Sequence, residues 1–259
     1  MLKPRLIPCL LIQEGGLVKT TKFKDAKYVG DPINAVRIFN EKQADELLVI
    51  DIDATVMQQE PDYTRIKNLA AECRMPLCYG GGVKSLEHAK KISSLGVEKI
   101  AISSAALENP QLVTDISKEL GSQSVVVVLD VKKRRLSKHY DVYTHNGKRN
   151  TKLNPIDAIR EAQSYGAGEI LINFIDNEGT MQGMQREAIK LFKSVCEVPF
   201  TVMGGASSLD DIGNVVSDNG LIGVAAGSLF VFKGPYRAVL INYPNQTQKI
   251  EKVHGHCNV

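Results

Sequence analysis

The sequence predicts an α/β protein built as one closed (β/α)8 barrel, a TIM barrel whose two halves repeat each other. Three observations predict it. Short β-rich runs alternate with longer amphipathic segments eight times in 259 residues, about the length such a barrel requires. The run Ser124-Val-Val-Val-Val-Leu-Asp130 is apolar on both faces, as in a parallel strand covered on each side. Met75-Pro-Leu-Cys-Tyr-Gly80-Gly81-Gly82 is echoed by Val198-Pro-Phe-Thr-Val-Met-Gly204-Gly205, with Pro76 to Pro199 spaced like Gly81 to Gly204. Ile102-Ser103-Ser104 is echoed in the same way by Ala226-Gly227-Ser228. An open doubly wound sheet is the competing architecture, but no G-x-G-x-x-G joins the first strand to the first helix.

The elements follow in order. Strand 5–11 precedes a helix opened by Asp31 as N-cap and Pro32 at the first helical position, with Ile33, Val36, Ile38 and Phe39 facing inward. Strand 46–51 pairs with helix 61–74, strand 76–79 with helix 85–95, and strand 99–103 with helix 109–120. After strand 124–130, the basic segment 132–152 predicts a long connection with a hairpin around Asn146-Gly147. Helix 155–165, strand 169–175, helix 184–196, strand 199–203, helix 208–217, strand 221–226 and helix 234–242 complete the barrel. One domain covers 1–259, with a polar tail from about 244.

Composition narrows the function. Hydrophobic residues make up 43% and charged residues 24%, which is ordinary for a folded enzyme. Lys plus Arg total 32 against 29 Asp plus Glu, and a net charge of +3 is too small to predict nucleic-acid or membrane binding. No apolar stretch approaches the roughly 20 residues that span a bilayer, and no signal peptide opens the chain, so a cytoplasmic protein is expected. The five cysteines are scattered, without CxxC spacing, and are expected to be reduced thiols. His254-Gly255-His256-Cys257 has the composition of a chelating tail but is expected to be a frayed terminus. His88, His139 and His145 lack ligand-pair spacing, so neither a metal nor another cofactor is predicted.

In a barrel the chemistry collects at the C-terminal ends of the strands. That rule places Leu11, Asp51, Gly80 to Gly82, Ser103, Asp130, Asn173, Asp176, Thr201, Gly204, Gly205 and Ser228 around one mouth. The glycines and small hydroxyl turns, Gly82 with Ser103 and Ser104 in one half and Gly204, Gly205, Gly227 and Ser228 in the other, predict two facing phosphate cups, hence a ligand phosphorylated at both ends. The plainer account is tight βα turns. Asp51 and Asp130 end apolar strands, where an unpaired carboxylate is costly. Asp130 is the candidate for acid–base work, with a structural ion pair as the alternative. Asp176 and Glu178, in the loop with Gly179, either contact a ligand hydroxyl or cap their loop. Lys19 reads as a mobile loop cation over a phosphate, or as a solvated lysine. His145 either reaches a ligand or is solvated in its hairpin. Arg5, Glu46, Lys99 and Glu169 each begin a strand and can alternate in sign around the barrel floor, as a stabilising ring or as a gate.

Ile7-Pro8-Cys9-Leu10, Gly15-x-x-Val18-Lys19, Ala44-Asp45-Glu46-Leu47, Gly80-Gly81-Gly82-Val83, Ser103-Ser104-Ala105-Ala106, Val128-Leu129-Asp130, Tyr143-Thr144, Gly166-Ala167-Gly168-Glu169 and Asp176-x-x-Gly179-Thr180 resemble the cyclase subunit of imidazole glycerol phosphate synthase, from about residue 3 to 243. The resemblance implies a half-barrel repeat with two phosphate sites, on Gly82, Ser103 and Ser104 and on Gly179, Gly205 and Ser228. It also implies a glutaminase subunit docked on the barrel bottom and ammonia passing through a gate of four charges, which fall on Arg5, Glu46, Lys99 and Glu169. The family reaction joins ammonia to phosphoribulosyl-formimino-AICAR-phosphate, giving imidazole glycerol phosphate and AICAR, and uses aspartates at the ends of strands one and five. Asp130 is the second; Leu11 stands where the first would be.

Leucine neither carries a proton nor stabilises a cation, and losing a general acid or base costs about 10²–10⁴ in rate. Leu10-Leu11-Ile12, Gly16-Leu-Val-Lys-Thr20 and Lys22-Phe-Lys-Asp25 resemble a paralogous branch associated with sugar amidation in surface-polysaccharide synthesis. There the barrel and its glutaminase supply ammonia to an ATP-dependent sugar amidotransferase that converts an acetamido group to an acetamidino group. Three readings result: that ammonia-delivering barrel, a working histidine-pathway cyclase with Asp51 or Glu178 replacing the missing acid, or a non-catalytic scaffold for the glutaminase.

Overall fold

A computed structural model describes residues 3–135 and 137–256. Eight parallel strands close on themselves: β1 (Arg5–Gln13), β2 (Leu47–Asp51), β3 (Leu77–Gly80), β4 (Lys99–Ile102), β5 (Val125–Lys133), β6 (Glu169–Phe174), β7 (Phe200–Met203) and β8 (Gly223–Ala226). Each pairs with the next, and β8 returns to β1 with Arg5 opposite Gly223. Around them run α1 (Pro32–Glu41), α2 (Tyr63–Glu72), α3 (Leu86–Ser94), α4 (Gln111–Leu120), α5 (Pro155–Ser164), α6 (Arg186–Lys193), α7 (Leu209–Asn219) and α8 (Gln246–Lys252). The TIM-barrel expectation is met.

Local chemistry sets the helix starts. Asp31 accepts from Asn34 N at 2.8 Å ahead of Pro32, and Ser208 accepts from Asp211 N at 3.1 Å, each satisfying a donor that the first turn leaves free. The strand period of two then divides the apolar residues into two layers. Leu6, Leu10, Val49, Tyr79, Ile100, Val127, Ile170 and Val224 pack outward against the helices, while Ile7, Cys9, Leu11, Leu48, Cys78, Ala101, Val126, Val128, Leu171, Met203 and Ala225 fill the barrel interior.

The repeat has a steric basis. A Cβ on Gly81 would lie 2.3 Å from Asp51 O, at the end of β2, and one on Gly204 would lie 2.7 Å from Phe174 O, at the end of β6. In each half the chain leaving a strand crosses tightly over the end of the preceding one, at φ 115° and 110°, where only glycine fits without strain.

Three segments differ from expectation, while the one after β5 meets it. The first βα loop is a hairpin, Gly16–Thr21 with Lys24–Gly30, whose first strand pairs with the end of β1. Its second strand is mostly exposed, so no apolar alternation announced it. The segment after β5 adds Tyr140–Thr144 antiparallel to β5 and then Arg149–Asn150, with the expected turn at Asn146-Gly147. Helix 234–242 is absent: Gly234 at φ 73° and Arg237 at φ 50° fold the chain into a small hairpin, Phe232–Lys233 with Ala238–Val239. The last helix instead lies inside the expected polar tail. There Asn245 and Gln248 form a reciprocal cap, and Lys249, 1% exposed, reaches Asp45 Oδ1 at 2.7 Å.

The described part of the tail is therefore docked rather than frayed. His254 Nε2 lies 3.2 Å from Pro4 O, and no metal-holding group occurs among the described residues. Cys257 lies outside the described residues; Cys9, Cys73, Cys78 and Cys196 are free thiols. No helix among the described residues is long and apolar enough to cross a membrane.

Candidate functional site

The two ends of the barrel carry different chemistry. At the floor, Arg5, Glu46, Lys99 and Glu169 form a closed ring. Arg5 hydrogen-bonds Glu46 and reaches Glu169 Oε1 at 2.7 Å, while Lys99 Nζ lies 2.8 Å from Glu46 Oε1 and 2.9 Å from Glu169 Oε2. Burial alone would push Glu169 up, but Arg5 and Lys99 outweigh it and hold the carboxyl down at about 2. Burial works against charge on Arg5 and Lys99 as well, and the two glutamates more than offset it, raising both pKa values. Thr201 belongs to this ring rather than to the mouth where it was expected: its hydroxyl donates to Glu169 Oε1 at 2.5 Å and accepts from Arg5 Nη2 at 3.2 Å. Thr201 lies opposite Gly223, which in turn lies opposite Arg5, so the register puts it at floor level. Gly223 makes room, since a Cβ there would sit 2.1 Å from Thr201 Oγ1 and 3.0 Å from Arg5 Nη2.

At the mouth a cavity of about 470 Å³ opens between the β1 hairpin and the loops after the other strands. Leu11 and Asp130 both line it. Burial among apolar strands drives the Asp130 pKa up to about 7, against a smaller opposing pull from Asn173, whose Nδ2 donates to Asp130 Oδ1 at 2.8 Å. A carboxyl poised near neutrality can give or take a proton at little cost. The amide oxygen of Asn173 is buried without a protein partner and remains an acceptor for a ligand N–H or O–H.

The other acids are more committed. Asp51 lines the cavity, yet its Oδ1 accepts from Asp53 N at 3.0 Å and Ala54 N at 3.1 Å, and Arg65 stands 3.8 Å from its Oδ2. Glu178 also lines it, accepting from Thr20 Oγ1 at 2.8 Å and Phe23 N at 3.0 Å, which ties the first hairpin to the loop after β6. Asp176 is outside the cavity lining; its Oδ2 accepts from Lys133 N at 3.0 Å, so it ties its loop to β5.

Lys19 is neither mobile nor solvated. It sits in the hairpin strand, 3% exposed, with Nζ donating to Cys9 O, and burial lowers its pKa. Gly82, Ser103, Ser104, Gly179, Gly204, Gly205, Gly227 and Ser228 all line the cavity, in two groups as the repeat foresaw. Ser103 Oγ is buried with no partner, while Ser104 Oγ accepts from His145 N at 3.1 Å. His145 does reach the cavity wall, and its Nδ1 is buried and unpaired. Two nearby charges escaped the sequence reading. Glu108 lines the cavity beside His145, and Arg237 touches Gly179 O and Ser228 Oγ from behind the wall. Arg237 was hidden by the expected helix over 234–242.

Residues 5–236 match the family described as "Histidine biosynthesis protein". A protein of Leptospira borgpetersenii, provisionally named imidazole glycerol phosphate synthase subunit HisF, is 57% identical over 96% of this chain and 98% of its own length. A Pseudomonas aeruginosa protein provisionally named subunit hisF2 of the same synthase is 49% identical over 95% of this chain and 97% of its own length. The imidazole glycerol phosphate synthase subunit HisF of Alkaliphilus metalliredigens is 35% identical over 89% of this chain and 91% of its own length. The chain belongs to the HisF family. In this HisF-like barrel, Leu11 and Asp130 share the mouth, and the charge ring closes the opposite end.

Proposed function

We propose that this HisF-like barrel belongs to a glutamine amidotransferase complex. It takes ammonia from a glutaminase subunit docked at its floor and releases it at the mouth for acetamido-to-acetamidino sugar amidation by an ATP-dependent amidotransferase in surface-polysaccharide synthesis. One juxtaposition carries the reading: a complete four-charge ring under an apolar barrel interior, opening on a mouth where Asp130 remains and Leu11 replaces a second acid.

The physics runs from floor to rim. The ring is closed at rest, and parting one of its ion pairs admits a neutral molecule. Ile7, Cys9, Leu48, Cys78, Val126 and Leu171 then offer no partner to an ion, so ammonia crosses neutral, because an ammonium stripped of water in an apolar column is heavily penalised. At the rim, Asn173 Oδ1 accepts an N–H and Asp130 manages the proton. The two-acid ring closure of a cyclase lacks a partner for Asp130, since Asp51 and Glu178 are held by backbone and hydroxyl donors.

The names of the relatives favour a second reading, a histidine-pathway cyclase. Product analysis by mass spectrometry separates the two, using barrel plus glutaminase with and without an ATP-dependent sugar amidotransferase. Imidazole glycerol phosphate formed by the pair alone at rates ordinary for the family overturns the first reading. A large gain in cyclisation from Leu11→Asp counts against the second.

A further inference from the structure

Positive charge collects on one hairpin of this molecule. Residues 132–152 hold eight Lys or Arg and a single carboxylate, Asp141, a net +7 in a chain whose total is +3, so the rest of the molecule is net −4. Strand β5 runs on past Asp130 to Lys133, and the returning strand Tyr140–Thr144 pairs with it, so the hairpin rises from the mouth. Tyr140 fixes it in place, edge-on to Phe174 and Phe192 with ring centres 5.7 and 5.8 Å away. Asp141 is buried and engaged within the hairpin by Arg134 at 2.6 Å and Asn150 at 3.1 Å, and Arg149 pairs with Glu108 at 3.4 Å. Among the described residues, Lys132, Lys133, Arg135, Lys138, Lys148 and Lys152 have no carboxylate within ion-pair distance, and all but Lys132 are exposed.

This hairpin is one part of a collar around the mouth. Phe23, at the tip of the hairpin after β1, meets Gly147, where a Cβ would lie 3.1 Å from the Phe23 ring. Farther along the same hairpin, Lys27 Nζ stands 5.4 Å from the ring centre of Phe232, in the hairpin after β8. Apolar exposure gathers here too. Of ten exposed large apolar side chains among the described residues, seven lie on segments that leave the strands at the mouth, Tyr236 (94%) and Tyr28 (67%) the most exposed, with Met57 and Leu240 among them.

Unpaired cations interleaved with exposed Tyr, Met and Leu favour an acidic macromolecule: the charges steer and orient it, and the aromatic and apolar groups form contacts that exclude water. A lone phosphoester would engage the cations and leave the apolar groups wet. A bilayer pressed onto the collar would seal the cavity of about 470 Å³ from polar reactants. Ammonia adds a requirement of its own. Leaving an open rim, it takes a proton from water and ceases to be a nucleophile, so its consumer has to close over the mouth. We propose, on the ammonia-delivery reading, that the collar is the seat of the ammonia-consuming enzyme, and that this enzyme meets it with an acidic face around its own ammonia entrance.

Kinetics of the barrel–glutaminase complex with the ATP-dependent sugar amidotransferase test it, with product read by mass spectrometry and either glutamine or ammonium chloride as nitrogen source. Lys133→Glu/Arg135→Glu/Lys138→Glu reverses three exposed, unpaired cations. It should raise the concentration of complex giving half-maximal glutamine-driven amidation by about tenfold or more, with glutamine hydrolysis and ammonium-driven amidation unchanged. Lys118→Glu, exposed on α4, is the matched control and should change none of the three. Added salt should weaken the wild type and not the triple variant. Tyr236→Asp reads the apolar part of the same seat and should also raise the half-maximal concentration, so a triple variant that does not fold leaves the test intact. A folded triple variant with the wild-type half-maximal concentration overturns the seat alone. Binding to phosphatidylserine vesicles that the triple variant loses assigns the collar to a membrane and overturns it too. Ammonium-driven amidation without glutamine-driven amidation overturns the delivery reading, and the seat with it.

Discussion

The floor and the rim of this barrel bury ionisable groups to similar depth and reach opposite outcomes. At the floor each cation meets two carboxylates and each carboxylate two cations, so for Arg5, Lys99 and Glu169 the counter-charges outweigh desolvation and favour the ionised form. At the rim Asp130 and Lys19 are buried without an opposite charge in contact, and each drifts toward its neutral form, the acid upward and the amine downward. Burial does not decide protonation; the presence of a counter-charge in the same desolvated volume does. The paired end is suited to standing closed, and the unpaired end to moving protons.

The largest expected effect comes from breaking the rim's single acid. Asp130→Asn should lower ammonia-dependent product output by about 10²–10⁴ while leaving glutamine hydrolysis by the partner intact. Unchanged output would point to a scaffold instead.

Next is the ring. Glu169→Ala leaves Arg5 and Lys99 facing Glu46 alone and should reduce unfolding free energy by about 3–5 kcal/mol in urea titrations, with ammonia coupling disturbed as well. A variant as stable as wild type would show that the ring is a gate with no structural weight.

pH separates the two ends. The folded pKa of Asp130, about 7, is above its unfolded value, so its burial costs nothing below pH ~4 and its full penalty above ~7. Glu169 at about 2 is the reverse: its contribution is complete above its unfolded pKa, near pH ~4.5, and is lost as pH falls toward 2. Acidification from pH 8 to 5 should therefore stabilise wild type by up to a few kcal/mol, and this gain should vanish in Asp130→Asn. The smallest effect belongs to neither end: Asn245→Ala removes the cap of α8 and should cost about 1 kcal/mol, with output unchanged.

Much of this was legible residue by residue. Asp31-Pro32 announced α1, and the duplicated Pro…Gly-Gly segments announced both glycine crossovers, because caps and tight turns depend on near neighbours in sequence. Four strand-initial charges announced the ring, because strand starts share one level in a closed barrel. Thr201 was placed at the wrong end because its level depends on the register of β7 against β8, which one strand's sequence does not show. The 234–242 segment carried apolar residues at near-helical spacing, but Gly234 and Arg237 in left-handed conformations turned it into a hairpin, and Arg237 came out of it against Ser228. Lys19 read as a loop cation because its hairpin has one exposed strand and no alternation.

Sequence by itself determined the strand count, the half-barrel repeat and the identities of the ring residues, since each is written in periodicity or residue type; that Leu11 stands where an acid would is what the resemblance to the cyclase family implies. Tertiary structure decided which carboxylates stay free to act. Asp51, Asp176 and Glu178 are as acidic in sequence as Asp130, but the amides of its own loop occupy Asp51 and distant segments occupy Asp176 and Glu178, whereas Asp130 faces the cavity with one amide beside it. Counter-charge and desolvation are properties of a volume, and that volume exists only after the eight strands have closed.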